Sequence, residues 1–331
     1  MTPGLGPRQS SPAIAGFCFL AALLLLLLGG CATPPQAQRL SQQWPAHLPP
    51  QALLSEQPFF AQEDYECGPA SLAMLLQAAG VPATPEQLVP QVYLPGRQGS
   101  LQQELLAAAR RHGLLSVRLA PSLDALLQEV AAGHPVLVFQ NLSLSVYPVW
   151  HYAVLIGFDR DRGLLTLHSG RTQNLQMSIS TFERTWARGG HWAMLALPPA
   201  RLPATAQAET TASAIAALER VNPRAAAQAY AGALQRWPVQ PALMLGAGNS
   251  AYASGDLAGA ASAYRHAVQA RPELADAWNN LAQVLLEQGQ HQQARMAVAR
   301  AVQLGGARLP LYLHLQRKLG SHEAEPGTRI D

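Results

Sequence analysis

The segment Gln62-Glu-Asp-Tyr-Glu-Cys67-Gly68-Pro69-Ala70-Ser71-Leu72-Ala73-Met74 decides how the first half of the chain is read. Pro69 costs nothing in a first helical turn, where its N–H would have no partner, and an apolar run follows it to Ala79. The pattern predicts a helix over 67–79 that starts at a cysteine. Unpaired N–H groups and a partial positive charge at such a terminus favour thiolate over thiol. Gly68 reads as room for an approaching backbone. The Gln62 amide and the Cys67 N–H read as two donors for an oxyanion formed when the thiolate attacks a carbonyl.

Outward from this segment, Thr84-Pro85-Glu86 supplies the cap, proline and acidic start of a second helix, and Ser100 with Glu104 opens a third that runs to Gly113. Short apolar or alternating runs then predict strands at 115–119, 135–140, 152–158, 164–167 and 192–197, with helices at 123–132 and 181–187 between them. Helices first and an antiparallel sheet afterwards make an α+β domain. Asp159-Arg-Asp-Arg-Gly163 lacks the further oxygen ligands of a calcium loop and reads as a hairpin turn, with Asp159 a turn residue.

A thiolate nucleophile needs an imidazole that takes and returns the proton. Of ten histidines, His151 is the candidate, because it heads the predicted strand His151-Tyr-Ala-Val-Leu-Ile-Gly157. These residues together resemble the bacteriocin-processing, double-glycine class of papain-like cysteine peptidases, over about Phe59 to Leu197. The resemblance implies Cys67 as nucleophile, His151 as general base and acid, and Gln62 as oxyanion donor. The family also places an aspartate, usually before proline, at the end of the next strand to orient the imidazole. Here that stretch is Leu167-His168-Ser169-Gly170, so His168 or Ser169 stands in the carboxylate's place, and Ser169 completes the candidate catalytic set. Asn141 and Asp159 are rival orienters. Asp64 and Glu66, if close, would raise the thiol pKa. No spacing of ligands completes a metal site around His151 and His168, and no motif calls for a cofactor.

Beyond Leu202 the chain becomes alanine-rich and periodic. Ala226, Ala260 and Ala294 stand 34 apart, as do Ala233, Ala267 and Ala301, and the pairs Tyr230/Tyr264, Pro238/Pro272 and Gly255/Gly289 keep that spacing. The pattern resembles tetratricopeptide repeats, two well formed and one degenerate, with Leu309 to Leu319 as a capping helix. Such arrays bind peptides or partner proteins in a concave groove.

At the N-terminus, Ala13 to Leu28 is an apolar run after Arg8, closed by Gly29-Gly30-Cys31. Leu28-Gly-Gly-Cys31 resembles a bacterial lipobox, which implies lipidation of Cys31. Ala32 in place of aspartate then suggests an outer-membrane, periplasm-facing location. Cys18 leaves with the signal and Cys31 is taken by lipid, so Cys67 is left as the one free thiol of three cysteines. With 23 basic against 20 acidic residues and only 13% charged, a nucleic-acid surface is disfavoured.

The domain plan is a signal peptide at 1–30, a flexible tether at 31–58, a papain-like cysteine peptidase domain at 59–199 and a linker at 200–208. An all-α repeat domain with its cap follows at 209–320, and a disordered tail at 321–331. The functional expectation is a membrane-anchored periplasmic cysteine peptidase whose repeats bind substrate or a partner protein. The alternatives are a catalytically weak adaptor lipoprotein and a thiol acyltransferase.

Overall fold

The computed structural model describes residues 34–62 and 66–321. The segment expected to be a signal peptide, Cys31, Asp64 and most of the C-terminal tail lie outside the described residues. No described helix is long and apolar enough to cross a membrane.

The first domain comprises α1 (Pro35–Gln42), β1 (Gln51–Leu53), α2 (Cys67–Ala78), α3 (Pro85–Val92), β2 (Tyr93–Leu94), β3 (Gly99–Ser100), α4 (Gln102–Arg111), β4 (Leu115–Arg118) and α5 (Leu123–Ala131). It continues through β5 (Val136–Asn141), β6 (Trp150–Asp159), β7 (Leu164–Ser169), β8 (Thr172–Ser178), α6 (Ile179–Arg188) and β9 (Ala193–Leu197). The strand order is β4-β9-β5-β6-β7-β8, all antiparallel, and β1 pairs with the far end of β6. Alternate residues of each strand go to opposite faces. Ala153 and Leu155 pack with α1, α5 and α6 on one face, whereas Tyr152, Val154 and Ile156 pack with α2, α3 and α4 on the other. The sheet is therefore the middle of three layers.

The tether expectation fails for residues 34–54. α1 is amphipathic, Ala37 and Leu40 are buried in the core, and the buried Glu183 carboxylate accepts the Gln36 and Ala37 N–H groups at 3.0 and 2.6 Å. A carboxylate facing the positive end of the helix fixes that end. β1 then reaches β6 because Gly157 has no side chain, since a Cβ there would meet Ala52 and Leu53. A proline- and glutamine-rich stretch thus carries few but well-placed apolar residues.

Helices α7 (Ala208–Glu219), α8 (Pro223–Arg236), α9 (Pro241–Ala253), α10 (Leu257–Ala270), α11 (Ala275–Glu287), α12 (His291–Leu304) and α13 (Leu309–Ser321) form the second domain. Ala226, Ala260 and Ala294 are fully buried, and the Tyr264 ring occupies the space over Gly248. Gly255 and Gly289 end their helices with φ of +82° and +73°, a conformation that suits glycine. Leu115 and Val117 of β4 share a core with α7 and α8, so the two domains are packed together. The connection between them is clamped by the buried Glu129. Its carboxylate accepts the N–H groups of Ala204 and Thr205 at 3.0 and 2.8 Å and the Thr205 hydroxyl at 2.6 Å, and it faces His134 Nδ1 at 2.8 Å.

Candidate active site

Cys67 is the first residue of α2, and the chain brings it to the head of β6, where Gln62, Cys67, His151 and Tyr152 line one cavity of about 820 Å³. Gly68 and Ser71 behind the cysteine are buried, which holds the helix terminus against the sheet. Gly68 does not make room for substrate. A Cβ there would run into the Ser100 side chain, so the glycine lets the β2–β3 hairpin close over the helix start.

His151 is held by the neighbouring strand: its Nε2 lies 2.9 Å from Ser169 Oγ. Adjacent strand residues face opposite ways, and His168 is turned aside. Its Nδ1 accepts the Asn174 N–H at 3.3 Å, its Nε2 lies 3.4 Å from the Gln57 carbonyl, and its ring stands edge-on to Phe59. The rival orienters are engaged elsewhere. Asn141 Oδ1 accepts the Ser143 and Val149 N–H groups within the β5–β6 loop, and Asp159 Oδ1 accepts the Arg162 N–H in the turn.

Gln62 is pinned to the β7–β8 turn. Its N–H donates to the Gly170 carbonyl at 3.1 Å, and its Oε1 accepts the Gly170 N–H at 3.2 Å. The Nε2 group points back to Ser71 Oγ and the Tyr152 carbonyl at 3.3 and 3.4 Å, both longer than an ordinary bond. Of the acidic neighbours, Glu66 is half-buried at the N-cap position of α2, where its side chain makes no capping hydrogen bond.

The electrostatics differ from the sequence expectation. Burial pushes the Cys67 thiol above its ordinary value, and the hydrogen bonds from the backbone of Tyr152, Gly68 and Cys67 itself offset only part of this. Burial also lowers His151 to about 4. Both groups are therefore neutral at rest. The helix terminus does pull the thiol down, but the low-dielectric surroundings pull harder in the other direction.

Three walls of the cavity escape the sequence reading. The hairpin from Tyr93 to Ser100 supplies Arg97 and Gln98; Phe139 stacks on Trp150 at 5.2 Å; and Arg171 stands on the turn after β7. Pro95-Gly96 was a turn signal for the hairpin. Ser100, expected near a helix start, lies in β3, and α4 begins at Gln102. No group of ligands that would hold a metal ion occurs among the described residues.

Residues 54–194 match the Peptidase_C39 like family, and residues 211–275 and 245–308 match the tetratricopeptide repeat. The chain is a C39-like peptidase domain followed by tetratricopeptide repeats. Among solved structures it is similar to a C39-like peptidase from Bacillus anthracis, with 21% identity, 44% of this chain and 97% of that chain covered and a TM-score of 0.38. It is also similar to the Sgt2 tetratricopeptide domain of Aspergillus fumigatus, with 21% identity, coverage of 38% and 90%, and a TM-score of 0.33. No curated protein matches the chain. The C39-like domain and its repeats make this a peptidase-like protein with a repeat surface for protein partners.

Proposed function

We propose that the protein is a cysteine peptidase anchored to a bacterial envelope membrane through lipid on Cys31, at the outer membrane facing the periplasm, with repeats that present substrate or a partner. The observation that carries the catalytic reading is the shared cavity of Cys67 and His151, with the imidazole fixed at 2.9 Å by Ser169. In the tautomer that donates Nε2–H to Ser169 Oγ, Nδ1 keeps the lone pair needed by a base.

The Cys67 sulfur attacks the peptide carbonyl carbon as its proton passes to His151. The carbonyl oxygen becomes an oxyanion, which the Cys67 N–H receives, joined by the Gln62 Nε2 group once it leaves its long contacts with Ser71 Oγ and the Tyr152 carbonyl. Collapse breaks the C–N bond, the amine leaves with the proton from His151, and a thioester remains on Cys67. His151 then takes a proton from water, the hydroxide adds to the thioester, and a carboxylate product and free thiol are formed.

Iodoacetamide alkylation of the detergent-solubilised full-length chain tests this, with modification at Cys67 read by peptide mapping. Wild type is expected to react at neutral pH, with a rate that falls at least tenfold in His151→Ala. A Cys67 that stays unreactive, or reacts equally well without His151, would leave the domain as a binding module and the adaptor reading in its place. Amine acceptors separate transfer from hydrolysis by the product they give. Retention of wild type but not Cys31→Ser in the membrane fraction tests the anchor.

A further inference from the structure

The hairpin of β5 and β6 ends in the loop Leu142-Ser-Leu-Ser-Val-Tyr-Pro-Val149, and Trp150 opens β6. Of twelve exposed large apolar side chains among the described residues, six fall here: Leu142, Leu144, Val146, Tyr147, Val149 and Trp150. Leu144, Val146 and Tyr147 are 67%, 74% and 78% exposed, and no charged residue occurs from Val136 to Phe158. So dense a cluster marks a surface that meets something other than water. The loop is also bonded to itself. The Leu142 N–H donates to the Val149 carbonyl at 2.9 Å, the Ser143 and Val149 N–H groups donate to Asn141 Oδ1, and the Tyr147 N–H donates to the Leu144 carbonyl at 3.2 Å. Pro148 has no N–H to satisfy. Backbone donors paired within the hairpin lower the cost of leaving water.

Two neighbours of the loop bear on what covers it. One is the point where the N-terminal chain joins the domain. Arg188 Nε and Nη2 donate to the Asn141 carbonyl at 3.2 and 3.0 Å, at the base of the loop, and Pro34 and Pro35 line one hollow with Arg188 and His191. Pro34 follows Cys31 by three residues, which span at most about 11 Å. Because residues 34–54 are packed on the domain and form no tether, a lipid on Cys31 holds this end of α6, and the loop beside it, close to the bilayer. The other neighbour is the mouth of the Cys67 cavity, which Val149 and Trp150 line together with the exposed Arg97 and Arg171. No carboxylate lines that mouth among the described residues. Tyrosine and tryptophan at the edge of an apolar patch, with arginines beside them, suit the headgroup region of an anionic bilayer, and the nearness of the anchor point favours a bilayer over a protein partner.

We propose that the β5–β6 loop seats in the boundary between headgroups and acyl chains of the membrane that carries Cys31, and so turns the mouth of the Cys67 cavity towards the bilayer surface. The proposal rests on the lipid-anchor reading and adds a second contact to it. Acyl chains at one point fix the distance of a domain from the membrane but leave its rotation free, and an inserted apolar loop removes that freedom. The site is then presented to polypeptides at the membrane surface.

The test uses the full-length chain expressed and processed in a bacterial envelope, carrying Cys67→Ala and Val146→Cys. It is labelled with the fluorophore NBD and reconstituted in vesicles of phosphatidylethanolamine and phosphatidylglycerol. A nitroxide-bearing phospholipid is expected to quench this label about threefold or more over the same label at Met296→Cys, an exposed position in the repeats, while aqueous iodide does the reverse. Adding Val146→Glu to a chain labelled at Leu144→Cys is expected to abolish the lipid quenching, because a carboxylate at the loop tip resists entry. The mass of the Cys31 peptide reads the anchor separately. With lipid on Cys31, quenching at residue 146 no greater than at residue 296 overturns the loop proposal alone. So does a label shielded from iodide yet not reached by the nitroxide, which would mean that a second copy covers the loop. So does quenching at residue 144 that Val146→Glu leaves unchanged. A Cys31 without lipid overturns the anchor reading and this proposal together.

Discussion

In the repeat domain, Ala226, Ala260 and Ala294 do one job three times, each filling the same tight crossing between two helices. In the sheet domain, the proposed nucleophile Cys67, base His151 and orienter Ser169 have no repeated counterpart, and they meet across separations of 84 and 18 positions. The contrast teaches where information sits. A solenoid spreads its stability over many equivalent local contacts, whereas the α+β domain concentrates chemistry in a few residues that only the completed sheet brings together.

The largest test of that contrast is chemical. Loss of a positioned general base typically costs about 100- to 10,000-fold. His151→Ala is expected to fall in that range for peptide turnover, while Tyr264→Phe, which loses a 2.6 Å bond to Asn249 and a long 3.5 Å bond from Asn280 in the repeats, is expected to stay within about twofold. Equal effects from the two would erase the distinction. A stability pair follows. Trp186 is fully buried in the core behind the sheet and donates its Nε1–H to the Trp192 carbonyl at 2.9 Å. Trp186→Ala is expected to cost about 3–5 kcal/mol in chemical denaturation. Ala260→Gly, at a repeated position inside α10, is expected to cost only about 1 kcal/mol.

Glu129 sharpens the comparison at the seam between the domains. Removing it in Glu129→Ala strands the N–H groups of Ala204 and Thr205, at a cost of about 1–3 kcal/mol. Burial works to raise this carboxyl, but the bonds from His134, Thr205 and Ala204 leave it below its ordinary value. A lowered folded pKa means that the stabilisation is complete above the unfolded carboxylate value and is lost as pH falls through the folded one. Wild type is therefore expected to lose more stability than Glu129→Ala when denaturation is compared between neutral pH and pH 3. Parallel losses would show that the clamp is not ionised.

The same contrast explains what could be read from sequence. Repeats declare themselves through spacing alone, and the core strands through alternation, because each apolar residue reports its own burial. Strand β8 could not be read this way, since Thr172 to Ser178 is polar and largely exposed and gains strand structure only by pairing with β7. β1 and α1 were hidden for a related reason. Their few apolar residues gain meaning from Gly157 and Glu183, more than a hundred positions away. Cys67, His151 and Gln62 were legible as residue types in a pattern, and the choice between His168 and Ser169 awaited the strand's facing. The charge state was not legible at all, because burial is a property of everything around the thiol rather than of the helix that carries it.

That last point leads to the smallest effect and the most direct probe of the site. Burial holds His151 at about 4, and its neighbour on β7 is a neutral hydroxyl that does little to stabilise imidazolium. A carboxylate in the same place favours the charged ring, and an opposite charge at such range moves a pKa by about 1–3 units. Ser169→Asp is therefore expected to raise the His151 value from about 4 by that amount, read by NMR titration of the imidazole, while Ser169→Ala leaves it near its starting point. The imidazolium population gained near neutral pH in turn favours the Cys67 thiolate, so alkylation speeds up in Ser169→Asp. An unmoved titration in Ser169→Asp would mean that residue 169 does not face the ring. A moved one would show that a single unrepeated position sets the charge of the whole site, which no position in the repeats could do.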